Sequence, residues 1–172
     1  LRIIRNGIII FKTKMKSPNK QKTAKTRKKL KQRYYFLLNP FIDAAFTKCP
    51  KCETKTKIRK YWLLIHIEPY RLISLDKTCR FCPYCELIIV KKHELESLLH
   101  DICRENFPEI AGNEYFVYGT LDRKDCRKLQ KEEWDFKTAL EWAYAFKNEW
   151  KFKPAPMEWH PADKNLNKNL KK

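Results

Sequence analysis

Glycine is nearly absent from this chain: Gly7, Gly112 and Gly119 are the only three in 172 residues. No phosphate-cradling loop and no dinucleotide fingerprint can be assembled from them, because both need several glycines in one turn. Serine is equally scarce, at Ser17, Ser74 and Ser97, and none stands in a nucleophile elbow. No apolar run approaches the ~18 residues of a helical membrane span, so no membrane partner is expected. The run Ile8-Ile9-Ile10-Phe11 is too short for the core of a secretory signal, and no small-residue cleavage site follows it. The four histidines form no catalytic pattern. His66 with Glu68, His93 with Glu96, and His100-Asp101 read as surface or half-buried structural groups, and no catalytic residue is assigned.

Acid is missing altogether from residues 1–33, which hold 13 Lys or Arg. Residues 151–172 carry six Lys against Glu158 and Asp163, whereas residues 34–150 are nearly balanced, with 19 basic and 18 acidic groups. The net charge of +18 therefore sits mostly on two tails. Within the middle, residues 48–92 are basic (11 against 4) and residues 93–150 acidic (8 against 13). A basic part backed by an acidic one points to a single nucleic-acid-facing side.

What the chain does have is cysteine in metal-ligand spacing. Cys49-Pro50-Lys51-Cys52 and Cys82-Pro83-Tyr84-Cys85 repeat one C-P-x-C pattern, with Cys79 just ahead of the second. Each turn aims two thiolates at one point, and two turns make a tetrahedral four-sulfur site suited to Zn²⁺. Cys49 and Cys52 supply one pair. The other is Cys82 with Cys85, preferred because Pro83 repeats the first turn, or Cys79 with Cys82. Cys103 and Cys126 read as core. Seven clustered cysteines imply a reducing, cytoplasmic setting rather than a disulfide framework. Cys-Pro-Tyr-Cys is also the active-site tetrapeptide of glutaredoxins, where a helix follows; here Glu86-Leu87-Ile88-Ile89-Val90 reads as a strand. Cys79, Cys82 and Cys85 match three ligands of a ferredoxin run without its fourth cysteine.

The run Thr78–Ile89, with the upstream Cys49-Pro50-Lys51-Cys52, resembles zinc-ribbon proteins. It is also similar to an uncharacterised bacterial family with the same double cysteine cluster, over about Tyr34 to Arg127 and including Gly119–Lys124. The resemblance implies a zinc-binding protein and carries over no activity. Both turns lack the usual glycine after the second cysteine, having Glu53 and Glu86, so their geometry is expected to depart from the common knuckle.

Along the chain, residues 1–33 are expected to be a disordered basic tail, 34–150 an α+β domain, and 151–172 a loose basic tail. The first methionine is Met15, and the preceding residues read as an over-extended reading frame or, alternatively, as a real leading strand. Ile58–Ile67, Leu72–Leu75 and Glu86–Val90 read as strands. Leu95, Leu98, Leu99, Ile102 and Cys103 mark one helix face, ended by Pro108. Tyr115–Tyr118 is a strand, a short helix starts near Asp122, and a long helix is expected from Glu132 to Asn148, presenting Trp134, Trp142 and Trp150. The fold expected is a small antiparallel zinc-ribbon sheet with amphipathic helices packed on one side.

The function expected is a non-enzymatic, zinc-stabilised protein that binds RNA or DNA or associates with the ribosome. Lys25, Arg27, Lys28, Lys29, Lys31 and Arg33 of the tail would contact phosphates, with Lys55, Lys57, Arg59, Lys60, Arg71 and Arg80 of the ribbon adding register. Tyr61, Trp62 and Tyr70 are the candidates for stacking on bases, with core packing the favoured alternative for Trp62. The alternative is a protein-interaction adaptor that docks a partner through the tryptophan helix.

Overall fold

The β-branched and aromatic run Lys57–Ile67 (β4) pairs antiparallel along its whole length with Arg71–Cys82 (β5), from Lys57 opposite Phe81 to Ile67 opposite Arg71. This long hairpin is the centre of the structure. The computed structural model describes residues 3–4, 8–11, 30–69, 71–129 and 136–151. The other strands are Ile3–Ile4 (β1), Ile8–Phe11 (β2), Tyr35–Asn39 (β3), Leu87–Lys91 (β6), Tyr115–Leu121 (β7), Tyr144–Ala145 (β8) and Asn148–Trp150 (β9). The main path of the sheet runs β8-β7-β4-β5-β6-β3-β9, with β2 adding antiparallel to β5 and β1 to β2. The sheet is mixed, because β3 lies parallel to both β6 and β9.

The sheet is strongly curled. Its two terminal strands are neighbours in the chain: β8 ends at Ala145 and β9 begins at Asn148, yet they pair with β7 at one end and β3 at the other. Such a short link cannot span a flat seven-stranded sheet, at about 4.8 Å per strand. The curl also brings the Tyr34 ring to 5.5 Å from Tyr61, although β3 and β4 are separated by β5 and β6. Phe36 stacks on Phe146 at 4.6 Å across the same interior. The result is a half-barrel whose ends are joined by residues 144–150.

Alternation along the strands sorts the core. Leu63, Ile65, Ile67, Ile73, Leu75, Phe81, Ile88 and Val90 face the concave side, where helix Lys92–Asn106 (α1) inserts Leu95, Leu99, Ile102 and Cys103. On the other face, Leu64, Leu72 and Leu121 pack against Cys126 of helix Arg123–Leu129 (α2) and Ala139 of helix Phe136–Glu141 (α3). A third cluster, Leu37, Leu87 and Ile89 with Cys49 and Cys82, underlies the cysteine turns.

Two expectations do not hold, and the N-terminal tail is described only in part. The fold is a curled mixed sheet with helices against both faces, not a small antiparallel ribbon with helices on one side. The basic tail expected to be disordered contributes Ile8–Phe11 as a strand, opposite Leu72–Leu75 of β5; residues 12–29 lie outside the described residues. Of the helix expected over Glu132–Asn148, residues 132–135 lie outside the described residues; among the described ones it is helical only at Phe136–Glu141, and β8 and β9 occupy its second half. Trp142 and Trp150 accordingly belong to different clusters rather than one helix face, and Trp134 is outside the described residues.

Candidate metal centre

The first cysteine turn hangs from the end of β3. Asn39, 1 % exposed, donates from Nδ2 to Ala44 O (2.9 Å) and accepts from Phe41 N (2.9 Å), which folds the chain after Pro40 toward Cys49. The turn itself is a miniature hairpin. Lys48 bridges Lys55, Cys49 N donates to Thr54 O (2.9 Å), and Glu53 N donates to Cys49 O (2.9 Å). Buried Thr56 closes it, its hydroxyl donating to Phe46 O at 2.6 Å. The second turn joins Cys82, the last residue of β5, to Leu87, the first of β6. Its Glu86 carbonyl accepts from Tyr35 N (2.9 Å), so β3 carries both turns.

Glu53 (φ 57°) and Glu86 (φ 51°) both adopt the left-handed conformation. The expected departure from the common turn does not occur: each glutamate takes the backbone geometry that glycine ordinarily supplies.

Cys49, Cys52, Cys82 and Cys85 bring their four sulfurs within 4.8 Å of one another. Cys52 and Cys82 Sγ are 3.5 Å apart, and Cys49 and Cys85 Sγ 4.0 Å. A tetrahedron of thiolates around zinc, with Zn–S of about 2.3 Å, has S–S edges of about 3.8 Å. The same separations are far from the ~2.05 Å of a disulfide. Cys85 N donates to Cys82 Sγ at 3.4 Å, a contact that favours a thiolate there. The four residues could hold a metal ion.

The acidities of the thiols fit that reading. Hydrogen bonding from Thr54 pulls the Cys52 thiol down to about 6. Burial, reinforced by the neighbouring sulfurs, pushes Cys85 up to about 12 and raises Cys82. Four crowded thiols on an apolar floor cannot all ionise together unless a cation supplies the compensating charge.

Cys79 is not part of the cluster. It lies on the concave face of β5, 4 % exposed, with its thiol donating to Lys77 O at 3.3 Å, and burial pushes it up to about 12. Cys103 of α1 and Cys126 of α2 are buried against the two faces of the sheet, and burial raises both thiols.

The basic residues divide into groups. Lys55, Lys57, Arg59 and Lys60 are exposed on the segment leaving the first turn, where β4 has no β7 partner, since that pairing begins at Trp62. Arg80 lies on β5 opposite Ile58 of this segment. Arg71 is at the far end of the hairpin, 3.7 Å from Glu109 and with its guanidinium over Phe107. Exposed Arg33 is held by Asp122 at 3.6 Å and lies over the Tyr34 ring; Lys31 is exposed beside it. Lys25, Arg27, Lys28 and Lys29 are outside the described residues.

The expected stacking residues do not form a platform. Tyr61 packs against Tyr34 and Phe81 in the interior, Trp62 packs into the α2 cluster, and Tyr70 lies outside the described residues. The aromatics around the metal centre include Tyr35, Phe46, Tyr84 and Trp150. Tyr84 carried a local signal, as the variable residue of a C-P-x-C turn, and Trp150 stood out only as part of the expected helix. Among the described residues no helix is long and apolar enough to cross a membrane. No protein-family model, curated protein or solved structure matches this chain.

Proposed function

We propose that the protein is a zinc-stabilised, non-enzymatic nucleic-acid-binding protein, with the zinc held by Cys49, Cys52, Cys82 and Cys85. The observation that carries the reading is the four-sulfur cluster, with all sulfurs within 4.8 Å and two edges, 3.5 and 4.0 Å, on either side of the ~3.8 Å of a zinc–thiolate tetrahedron. Four thiolates leave no open position to activate water, so the metal's work is to clamp the two turns and the strands they join.

Charge supports the nucleic-acid part. Among the described residues Lys55, Lys57, Arg59 and Lys60 have no acidic partner, and they stand beside the clamp on a chain of net charge +18. RNA or DNA, including RNA within a ribosomal particle, supplies the phosphates such a row would meet.

Elemental analysis of the purified full chain tests the first part, and fluorescence anisotropy with labelled RNA and DNA the second. The expected result is one zinc per chain, lost in Cys52→Ser and Cys82→Ser but kept in Cys79→Ser and Cys103→Ser. A folded, metal-free protein, or equal retention in all four variants, rejects the site. No binding to RNA or DNA at low salt rejects the nucleic-acid function.

A further inference from the structure

The variable residues of the two cysteine turns, Lys51 and Tyr84, face one trough. Its inner lobe, about 470 Å³, lies over the metal centre and is walled by Lys51, Tyr84 and Tyr35, with Cys52, Cys85 and Glu86 in its lining, the Glu86 carboxylate being paired with Lys147. Its outer lobe, about 520 Å³, shares Tyr35 and Lys51 and runs out between Pro50 and Trp150 to Lys151. Tyr84 is 80 % exposed. An aromatic ring that far out contributes nothing to a core, yet its backbone is fixed between Pro83 and Cys85 in a turn the metal would clamp. The Trp150 ring lies 5.2 Å from Tyr35 and takes the Lys51 ammonium over its face at 4.4 Å. Rigid aromatic faces interleaved with lysines are what unpaired bases and their phosphates need: any base can stack on a π-face, and each phosphate can meet a cation. A duplex keeps its base faces stacked inside and offers none to such a trough.

We propose that this trough binds single-stranded nucleic acid, stacking a base on Tyr84 and a second near Trp150, with Lys51 and Lys151 on the intervening phosphates. The proposal rests on the nucleic-acid reading above and adds strand selectivity to it. Exposed Glu149 in the outer lobe disfavours phosphate at that spot and places the backbone on the Lys51 side.

The test is anisotropy of the zinc-loaded full chain with labelled oligo(dT), oligo(U) and a blunt DNA duplex of equal length, across a salt series. Tyr84→Ala, Tyr84→Trp and Lys51→Gln are compared, each first shown to retain zinc and the wild-type melting temperature. Tighter binding of the single strands than of the duplex is expected. Tyr84→Ala should weaken single-strand binding about tenfold, within the range for loss of one stacked base. Its log–log salt slope should stay unchanged, because no charge is removed, and Tyr84→Trp should retain binding. Lys51→Gln should weaken binding and reduce the slope by about 0.7. Wild-type affinity in both Tyr84→Ala and Lys51→Gln, with the full chain still binding, overturns the trough and leaves the broader reading standing; occupancy of the trough by the chain's own segment after Lys151 would give this result. Equal loss on single strands and duplex also overturns it. Absence of binding by the wild-type chain overturns both readings together.

Discussion

Glu53 and Glu86 occupy equivalent positions after the two cysteine turns, and both are left-handed. That conformation costs a residue with a Cβ about 1–2 kcal/mol. The two differ in what offsets the cost. Lys147 Nζ lies 2.5 Å from the Glu86 carboxylate, and its hydrogen bond holds the Glu86 pKa below the ordinary 4.5, whereas Glu53 has no ion pair among the described residues. Glu53→Gly should therefore stabilise the zinc-loaded protein by about 0.5–1 kcal/mol, the relief of strain less the entropy that glycine loses on folding. Glu86→Gly should gain less, because it also gives up Lys147. Urea unfolding of the two variants measures this, and a destabilised Glu53→Gly would show that the left-handed turn is not strained. At this scale the cysteines were legible, since C-P-x-C spacing is a local property of the chain. The glutamates were readable only as missing glycines. The exclusion of Cys79 was not legible, because it depends on β5 running unbroken to Cys82, which turns Cys79 onto the concave face.

Elements were legible where their pattern was local. β4 begins one residue before its sequence reading, and the apolar face expected of α1 is buried at Leu95, Leu99, Ile102 and Cys103 but exposed at Leu98. The strand reading Leu72–Leu75 covers only part of β5, which continues through Asp76 and Lys77 to Cys82. Lys77 is buried, and its ammonium donates to Glu94 of α1 at 2.8 Å, so a charge in the strand ties the helix to it. Hydrogen bonding from Lys77 lowers the Glu94 pKa below its ordinary 4.5. A depressed carboxylate stabilises the fold above the unfolded pKa, and the contribution is lost as pH falls through the folded value. Glu94→Gln should thus destabilise at pH 7, leaving Lys77 without its counter-charge, and the gap from wild type should close as pH drops below about 4.5. Urea midpoints of both proteins across that range check this, and a pH-independent gap would assign the effect to packing. The long helix failed for a different reason. Phe136, Ala139, Leu140 and Ala143 keep a helical period, but residues 144–150 gain strand partners on β7 and β3, which no local pattern reveals. Gly119 marks that pairing. A Cβ there would lie 2.0 Å from Tyr144 O, and the β4–β7 register shifts next to it, between Leu64 and Ile65. Gly119→Ala should push β8 off β7 and cost on the order of 3 kcal/mol. Faster amide exchange at Ala145 and Phe146, with α1 unchanged, would locate the damage; wild-type stability would mean that β8 is dispensable.

For the whole molecule, the curl and the charge act together. Because β3 lies beside both β6 and β9, the cysteine turns, the aromatic trough and the end of the described chain converge at one end of the half-barrel. These parallel pairings between distant segments leave no mark in local periodicity, which is why a small ribbon was the natural sequence reading. Net charge, in contrast, needs no fold to be read. It also shapes how the basic segment should be tested. Removing everything before Tyr34 would delete Ile8–Phe11, which pairs with Leu72–Leu75, and so would confound the removal of charge with the removal of a strand. Replacing Lys20, Lys22, Lys25, Arg27, Lys28 and Lys29 by Gln keeps β2 and removes six positive charges. If these residues neutralise phosphates, the log–log salt slope should become shallower by about 0.7 per phosphate on a single strand and about 0.9 on duplex DNA. Affinity for both should fall, most steeply at low salt. A uniform drop on both substrates would assign the segment to sequence-independent attraction, with strand choice left to the trough. Unchanged affinity and slope on both would mean that the segment meets no phosphate, and binding would then have to come from the exposed row Lys55, Lys57, Arg59 and Lys60 and from the trough beside it.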